Sequence, residues 1–450
     1  MSPPDQISYA PTEGLSYKPE EAWYWDPAAL AKEVTRVFEI CHGCRMCFKY
    51  CDTFPDLFAT IDNQHDGHVA DVTPAETARV MDECFQCKLC EVQCPYTPRD
   101  KHPFQLDFPK LVHRWKAVRA RAKGVSFRDK MLGDPDGLGK AARLSGGLAN
   151  RLNRSSAHRW MMEKTLRIHR DKNLPSFASD TFESWADAQG LVQPTAGGEA
   201  VLFPSCFVQN NDPSIGHDTV EVMRRNKIDV RCTRGLACCG MPAWESGDLT
   251  TLRKRAAINL DVLAPFVAAG AKVLALNPTC SMMLRREYPD LVATADRPRA
   301  EALAAAVRDP AEYLWGLRED PRFSQEFASH PDSVAYHAAC HLRAQAIGLR
   351  GRDLIRRTGS DNVTVVSECC GHDGTYAMKV ESFEASKRIG QKAFDGMAAS
   401  GATTWVTDCP LAAIQIEQHA GQKPLHPMSL LARAYRGEPF PGPDKEPAKP

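Results

Sequence analysis

The chain has 450 residues, 43% of them hydrophobic, and its 56 basic and 56 acidic side chains leave no formal net charge. That length suits about three domains of ordinary size, and the balanced charge argues against a general nucleic-acid binder. Seventeen cysteines are many for such a chain. They are grouped at cofactor spacings, which points to thiolate ligands in a reducing, cytoplasmic compartment rather than to a disulfide framework. The opening MSPPDQISYA lacks the basic and apolar regions of a secretory leader. The most apolar stretch, 260–276, is interrupted by Asp261, Pro265 and Lys272. A spanning helix needs about 20 mostly apolar residues, so no transmembrane segment is expected.

Residues 1–35 read as an extended arm followed by a short helix. The segment 36–112 carries two cysteine runs of identical spacing: Cys41, Cys44, Cys47 and Cys51, then Cys84, Cys87, Cys90 and Cys94, with Pro95 directly after the last. This is the spacing of bacterial ferredoxins, in which each run gives three thiolates to one cubane and its fourth to the other. On that rule Cys41, Cys44, Cys47 and Cys94 hold one [4Fe-4S] cluster, and Cys84, Cys87, Cys90 and Cys51 hold a second. Zinc would favour pairs of CxxC knuckles, often with a histidine nearby. Thirty-two residues separate Cys51 from Cys84, a longer gap than small βαββαβ ferredoxins keep. Within it Thr73 can cap a helix that has Pro74 at its first position and runs toward Cys84. An all-helical ferredoxin domain is therefore expected.

Residues 113–195 are expected to form a basic helical connector. Eight Lys or Arg against one acid, Asp129, fall within 110–130. Leu111, Trp115, Val118, Ala122 and Val125 recur there at helical steps, which predicts a basic amphipathic helix over 110–130. Such a helix either packs with a solvated basic face or lies peripherally on an anionic membrane surface. From 196 the pattern turns to α/β and repeats. The unit 196–330 has an expected strand at 200–203 leading to Cys206 and a helix through 220–225. A strand at 228–230 precedes Cys238-Cys239-Gly240, and a helix over 249–269 leads to a strand at 272–276 and Cys280. The unit 331–436 has a strand at 333–336 before Cys340, a helix at 354–357, and a strand at 363–366 before Cys369-Cys370-Gly371. A helix over 383–398 then leads to a strand at 403–406 and Cys409. Strand–Cys–helix–strand–CysCysGly–helix–strand–Cys, used twice, predicts an internal duplication. The fold class expected is thus α+β and multidomain: an all-helical two-cluster ferredoxin domain followed by two duplicated α/β cysteine-rich domains with parallel strands. Residues 437–450, rich in proline, read as a disordered tail.

In parallel sheets ligands gather beyond the carboxyl ends of the strands, so each repeat brings four thiols to one sheet end. Cys206, Cys238, Cys239 and Cys280, and Cys340, Cys369, Cys370 and Cys409, are therefore candidate metal ligands for a further iron–sulfur cluster or zinc. Buried structural cysteines are the plain alternative. Cys232 stands outside these groups and reads as a small buried apolar residue. His337 and His341 flank Cys340, and His372 follows the second CysCysGly. A histidine can ligate metal or shuttle a proton, and an imidazolium lowers a thiol pKa. The second repeat, with Cys340, Cys369, Cys370, Cys409 and His341, is on this basis the candidate reactive site.

CHGCRMCFKYC at 41–51, CFQCKLCEVQCP at 84–95, LACCGMP at 236–242, NPTCSMMLRREYPDL at 277–291, YHAACHLRAQAIG at 336–348 and ECCGHDGTYAMK at 368–379 carry a family resemblance. Across about 36–436 the chain resembles the CCG-domain iron–sulfur oxidoreductases. These include the C subunit of anaerobic glycerol-3-phosphate dehydrogenase and the heterodisulfide reductase D-type and lactate-utilisation iron–sulfur proteins. ECCGHDGTYAMK is more similar to relatives that accompany rubrerythrin-type proteins. In heterodisulfide reductases the resemblance implies five-cysteine domains that end in CxxC and can hold a non-cubane cluster that splits disulfides. Here Met283 and Ala412 stand where the last of those cysteines would be, which leaves four thiols per repeat.

These readings converge on an iron–sulfur electron-transfer subunit of a respiratory or stress-linked oxidoreductase. It would pass electrons between two [4Fe-4S] clusters and a cysteine-rich site that faces a partner protein, a thiol or disulfide, or a quinone. No G-x-G-x-x-G fingerprint is evident, so flavin or NAD chemistry is assigned to a separate flavoprotein or other redox subunit. The alternatives are a stand-alone disulfide or quinone reductase and a zinc-stabilised scaffold. Basic residues concentrate only near 110–130, with few aromatic residues among them, and no nucleic-acid partner is expected.

Overall fold

The computed structural model describes residues 9, 11, 17–192 and 197–442. Residues 1–8, 10 and 12–16 of the expected arm and the tail beyond residue 442 lie outside the described residues. The chain enters through a single helical turn, Ala22–Trp25, and then the helix Pro27–Cys44, whose amino end Asp26 caps by accepting from the N–H groups of Ala28 and Ala29. This 18-residue helix is longer than the short one expected, and it delivers Cys41 and Cys44 on its last turn before Arg45 breaks it in the left-handed region. Leu30, Val34, Val37 and Phe38 form its buried stripe and meet Leu57 and Ile61 of helix Thr53–Gln64. Thr73 and Glu76 form a reciprocal capping box at the start of helix Pro74–Glu83, where the sequence places a cap. Among the described residues of 36–112 the regular structure is entirely helical.

The helix expected over 110–130 is broken. Phe108–Lys123 ends at Gly124, whose φ of 75° no ordinary helix continues through, and Phe127–Leu132 follows as a separate turn and a half. Two of the six cations in Phe108–Lys123 are buried and two more are paired, while Arg121 and Lys123 are exposed. Arg114 is fully buried and donates to the Trp23 and Tyr24 carbonyls, and buried Lys116 donates to the Cys84 carbonyl at 2.8 Å. Lys110 pairs with Asp290 at 2.7 Å, and Arg119 makes two bonds to Asp82. This helix is a basic strut between parts of the molecule. Helices Pro135–Leu144, Leu148–Arg154, Ser156–Leu166 and Phe182–Ala188 make up the rest of the expected connector.

Two parallel sheets follow. The first comprises β1 (Ala200–Phe203), β2 (Val230–Arg231), β3 (Lys272–Ala275) and β4 (Val307–Arg308) in the order β2-β1-β3-β4. The second comprises β5 (Val334–His337), β6 (Val363–Val366) and β7 (Thr404–Thr407) in the order β6-β5-β7. β1, β5 and β7 are buried along their length, as the covering of both faces of a parallel sheet requires. The observed strands lie within two residues of those expected. β4 has no counterpart among the expected elements, because two residues carry no periodic signal.

The loop 84–91 sits where the three parts meet. Gln86 and Lys88 both adopt left-handed backbone, with φ of 67° and 60°. This turns the Gln86 carbonyl toward His341 and the Lys88 ammonium toward Glu287. Both members of the Lys88–Glu287 ion pair are buried, and the Trp244 ring lies 5.4 Å from the ammonium. Burial opposes ionisation of Glu287, but Lys88 and Lys110 outweigh it and hold the carboxyl at about 2. Beside it Arg286 bonds Glu91 and, at 2.7 Å, the Ala344 carbonyl. Removing one member of a buried pair strands the other charge and costs about 3–5 kcal/mol. Glu287→Gln is therefore expected to lower unfolding free energy by about that amount, and the double variant Lys88→Met/Glu287→Leu to recover much of the loss. Denaturant titration of the three proteins checks this, and equal stability of Glu287→Gln and wild type would refute it.

Candidate functional site

Cys41, Cys44, Cys47 and Cys94 line one pocket with Cys90, walled by Ile40, Phe54, Leu106 and Phe108. The 27–44 helix supplies the first two, the turn after it supplies Cys47, and Cys94 caps the carboxyl end of the short helix Leu89–Gln93. Burial, then the charges of Cys94 and Cys44, push the Cys47 thiol up to about 12. Burial and the neighbouring Cys84 push Cys51 up to about 12, against hydrogen bonds from Thr53 and Phe54. Cys90 feels Cys47, Cys84 and Cys51 together and so lies between the two foursomes. Crowded buried thiols resist ionisation, and a bound cation offsets that resistance because metal binding and deprotonation are linked. The donor set is soft, all sulfur, and matched to iron–sulfur chemistry.

The cysteine-rich repeats place their thiols beyond the carboxyl ends of the strands. Cys206 follows β1 on the helix Ser205–Asn210, and Cys280 follows β3 on Pro278–Met282. Cys340 follows β5 at the start of Cys340–Ala344, and Cys409 follows β7 as the cap of Pro410–Ala420. In the first repeat the thiols of Cys206, Cys238, Cys239 and Cys280 contact one another in that order. Contacts from Cys206 and Cys239 hold Cys238 well below the usual thiol range. The Cys238 N–H donates to Asp136 at 2.8 Å, and the Tyr288 hydroxyl donates to the Cys239 carbonyl at 3.0 Å. In the second repeat Cys340 contacts Cys369, and Cys370 feels the charges of Cys369 and Cys409. Met283 and Ala412, at the positions where five-cysteine relatives have a further thiol, are buried apolar side chains.

The two foursomes are placed differently. Cys369 also contacts Cys87, and Cys51, Cys87, Cys340 and Cys369 pack with Phe85, Leu89 and Tyr376. The second ferredoxin run and the second repeat thus share one buried cluster. The first repeat instead opens on a large cavity beneath the helices of 127–166.

The three histidines do not form an imidazolium array. His337 bonds Thr407 at 3.0 Å and the Glu368 carbonyl at 3.1 Å, and burial pulls it down to about 4. His341 bridges the Thr279 hydroxyl at 2.8 Å and the Gln86 carbonyl at 3.0 Å, and burial pulls it too to about 4. His372 is lowered by burial, with Lys172 adding to the effect. Burial thus disfavours the charged form of all three rings, although His337 still helps to lower the Cys369 thiol, and His341 joins three parts of the chain. Cys232 is buried, as expected, with burial pushing it up to about 12, and it lines one small pocket with Cys206 and Cys238. Sequence reasoning missed Lys88, Glu245 and Gln86, whose roles depend on contacts across the chain. Glu245, from the first repeat, accepts the Thr375 N–H of the second at 2.8 Å.

The comparisons with known proteins agree with this arrangement. Residues 40–97 match the 4Fe-4S dicluster domain family, and 200–285 and 334–417 each match the cysteine-rich (CCG) domain family. The chain is similar to the C subunit of anaerobic glycerol-3-phosphate dehydrogenase of Escherichia coli strain K12, with 29% identity over 322 residues, 70% of this chain and 80% of that protein. It is similar to lactate utilization protein A of an Exiguobacterium species, 28% identical over 208 residues, 45% of this chain and 81% of that protein. The corresponding Bacillus pumilus protein is 28% identical over 185 residues, covering 40% and 74% respectively.

Gly240 and Gly371 close the two CysCysGly turns in the left-handed region, at φ of 87° and 72°. A Cβ on Gly240 would meet nothing closer than Leu252 Cδ1 at 3.4 Å, whereas one on Gly371 would fall 2.1 Å from the Ser386 carbonyl oxygen. Gly240→Ala is expected to cost only the left-handed penalty of about 1–2 kcal/mol. Gly371→Ala should cost clearly more, because backbone has to move as well. Thermal unfolding of both variants checks the order, and equal costs would refute the steric argument.

Proposed function

We propose, for this member of the CCG-domain iron–sulfur proteins, the role of an electron-transfer subunit in which the amino-terminal cysteine runs feed the second repeat, and the second repeat feeds the first. One observation carries the order: Cys87 of the second ferredoxin run and Cys369 of the second repeat are in contact within one buried cluster. In this reading Cys41, Cys44, Cys47 and Cys94 hold one [4Fe-4S] cluster, and Cys84, Cys87, Cys90 and Cys51 hold the other. Bound there, the clusters supply one-electron carriers whose potentials the surroundings tune. Cys340, Cys369, Cys370 and Cys409 hold a relay centre, and Cys206, Cys238, Cys239 and Cys280 hold the terminal one. His341 and Thr279 link the two repeats beside Cys340 and Cys280.

The reactive role therefore passes from the second repeat, where the histidine count placed it, to the first, whose thiols open on a cavity. The matching central strand orders, the paired left-handed glycines and the double family match support descent of the repeats from one duplicated unit. The named role of the Escherichia coli relative as part of a dehydrogenase supports another dehydrogenase subunit as the electron donor.

Anaerobic reconstitution tests the ligand assignment. Cys94→Ser should reduce the iron of the amino-terminal clusters from about eight to about four atoms, since a cubane holds four, and leave the signal of the cluster at Cys84, Cys87 and Cys90. Unchanged iron in Cys94→Ser would refute the crossed ligand set. Cys369→Ser should leave both amino-terminal clusters reducible while electrons no longer reach the first repeat. Cys239→Ser should leave everything upstream reducible and abolish delivery to the acceptor. EPR after stepwise reduction reads both, and full acceptor turnover by Cys369→Ser would overturn the order.

A further inference from the structure

Three lysines are buried among the described residues. Lys88 has the carboxylate of Glu287, and Lys116 donates to the Cys84 carbonyl. Lys172, only 2% exposed, pairs with no carboxylate among the described residues. Its ammonium donates to the side-chain carbonyls of Gln415 and, at 3.2 Å, Gln418, both on the helix that Cys409 caps. Taking a cation out of water without a counter-ion is among the costliest arrangements a fold can hold.

Several bonds nevertheless fix the lysine there. Buried Arg159 donates to the carbonyls of His169, Arg170 and Lys172 at 2.7, 3.1 and 2.8 Å, which sets the turn that carries it. Gln418 closes the other side, donating to the Asp171 carbonyl at 2.6 Å and accepting the Asn173 N–H at 3.0 Å. Gln415 extends the contact toward the thiols of the second repeat. Its amide donates to the Ser386 hydroxyl at 3.1 Å, and the Ser386 carbonyl abuts Gly371 of the second CysCysGly turn. Cys370, just before that glycine, packs in one cluster with Ala412 and Ile416 of the Gln415 helix and with Cys409. Burial pulls the Lys172 ammonium down to about 8, and the charge of Cys370 opposes that. The side chain is therefore cationic at neutral pH. Burial disfavours the charged forms of His337, His341, His372 and Asp373 around the same thiols. Lys172 lacks an anion, and a metal held by four thiolates is one.

We infer that Lys172 is the counter-ion of the second repeat's metal centre, a fixed buried charge that stabilises its thiolates and raises its reduction potential. Four thiolates outweigh the charge of a divalent ion or an iron–sulfur core, and an added electron makes the centre more negative still. Opposite charges attract far more strongly in a protein interior than in water, so the ammonium favours the reduced state. The inference rests on the electron-transfer reading above and names what sets the potential of its relay. Reduction adds one electron to the centre, taken from an amino-terminal cluster that is oxidised by one, and no proton or bond moves. Lys172 acts through its field and is a positioning residue, not a ligand. A raised potential at the relay draws electrons out of the amino-terminal clusters and toward the first repeat.

Reconstituted full-length wild type, Lys172→Met, Lys172→Gln and Lys172→Arg are titrated anaerobically, with EPR following each centre and iron measured in parallel. At a fixed solution potential, Lys172→Met and Lys172→Gln should lower the reduced-to-oxidised ratio of the second repeat's centre about tenfold, which is about 59 mV for one electron. Lys172→Gln keeps a hydrogen-bond donor for Gln415 and so separates loss of charge from loss of bonding. Lys172→Arg keeps the charge and should stay close to wild type. An unchanged potential in the two uncharged variants overturns the inference, as does an equal shift, or equal loss of iron, in Lys172→Arg. If the wild type gives no redox signal from the second repeat, the relay reading fails and metal retention judges the counter-ion. Zinc bound there should leave Lys172→Met for a chelator about tenfold faster than it leaves wild type or Lys172→Arg, since thiolate stability and metal binding are linked. Equal rates overturn the inference, and a second repeat that holds no metal overturns both.

Discussion

The buried ion pair between Lys88 and Glu287 is the contact on which the assembly turns. A lysine with its ammonium out of water needs a carboxylate, and this one reaches from the ferredoxin loop into the first cysteine-rich repeat. The backbone of the loop is bent to allow it, with left-handed conformations at Gln86 and Lys88 that side-chain-bearing residues seldom adopt. Once the loop is committed, the Gln86 carbonyl meets His341, and Arg286 bonds both Glu91 and the Ala344 carbonyl, so the second repeat is drawn to the same point. Stability is a weak reason to keep a buried pair, since apolar replacements often serve as well. Registration is a better one. The pair fixes the loop against the first repeat, and the Gln86–His341 bond beside it fixes the loop against the second, where Cys87 meets Cys369.

The strut 108–123 performs the same task on the other side. Its positive charge looks like a surface property until its partners are counted: the Cys84, Trp23 and Tyr24 carbonyls, Asp290 and Asp82. Lys116 also brings a cation beside the backbone that carries Cys84, against thiols that must become anions to bind metal. Burial lowers the Lys116 pKa, and the charges of Cys84 and Glu245 oppose that.

Much of this architecture was legible in the chain. Cysteine spacing is a covalent constraint, and the two runs do come together, with Cys41, Cys44, Cys47, Cys90 and Cys94 around one pocket. Strands followed by cysteines could be read because parallel strands buried on both faces are written as short apolar runs. The cap at Thr73 and Glu76 is local chemistry and is readable for that reason. The failures were non-local. Nothing in residues 110–130 says that Arg114 is buried, because its acceptors lie some ninety residues earlier. The histidines beside Cys340 suggested proton chemistry, and only the three-way packing around His341 shows a neutral tether. Gly124 was the available sign that the basic helix stops, and the charge run obscured it.

Enclosing Cys84 and Cys87, each 7% exposed, in the three-way junction also constrains how the protein can be made. Cys87 packs with Cys369 and Tyr376, and its neighbours Gln86 and Lys88 bond His341 and Glu287, all from the later part of the chain. Domains of long chains tend to fold from the amino end as they emerge during synthesis. Iron delivered while only the first hundred residues have folded meets open thiols, and the repeats then close over a filled site. Iron delivered afterwards must wait for the junction to open, which means breaking the Lys88 pair. In the closed molecule, access to these two thiols therefore depends on opening the junction.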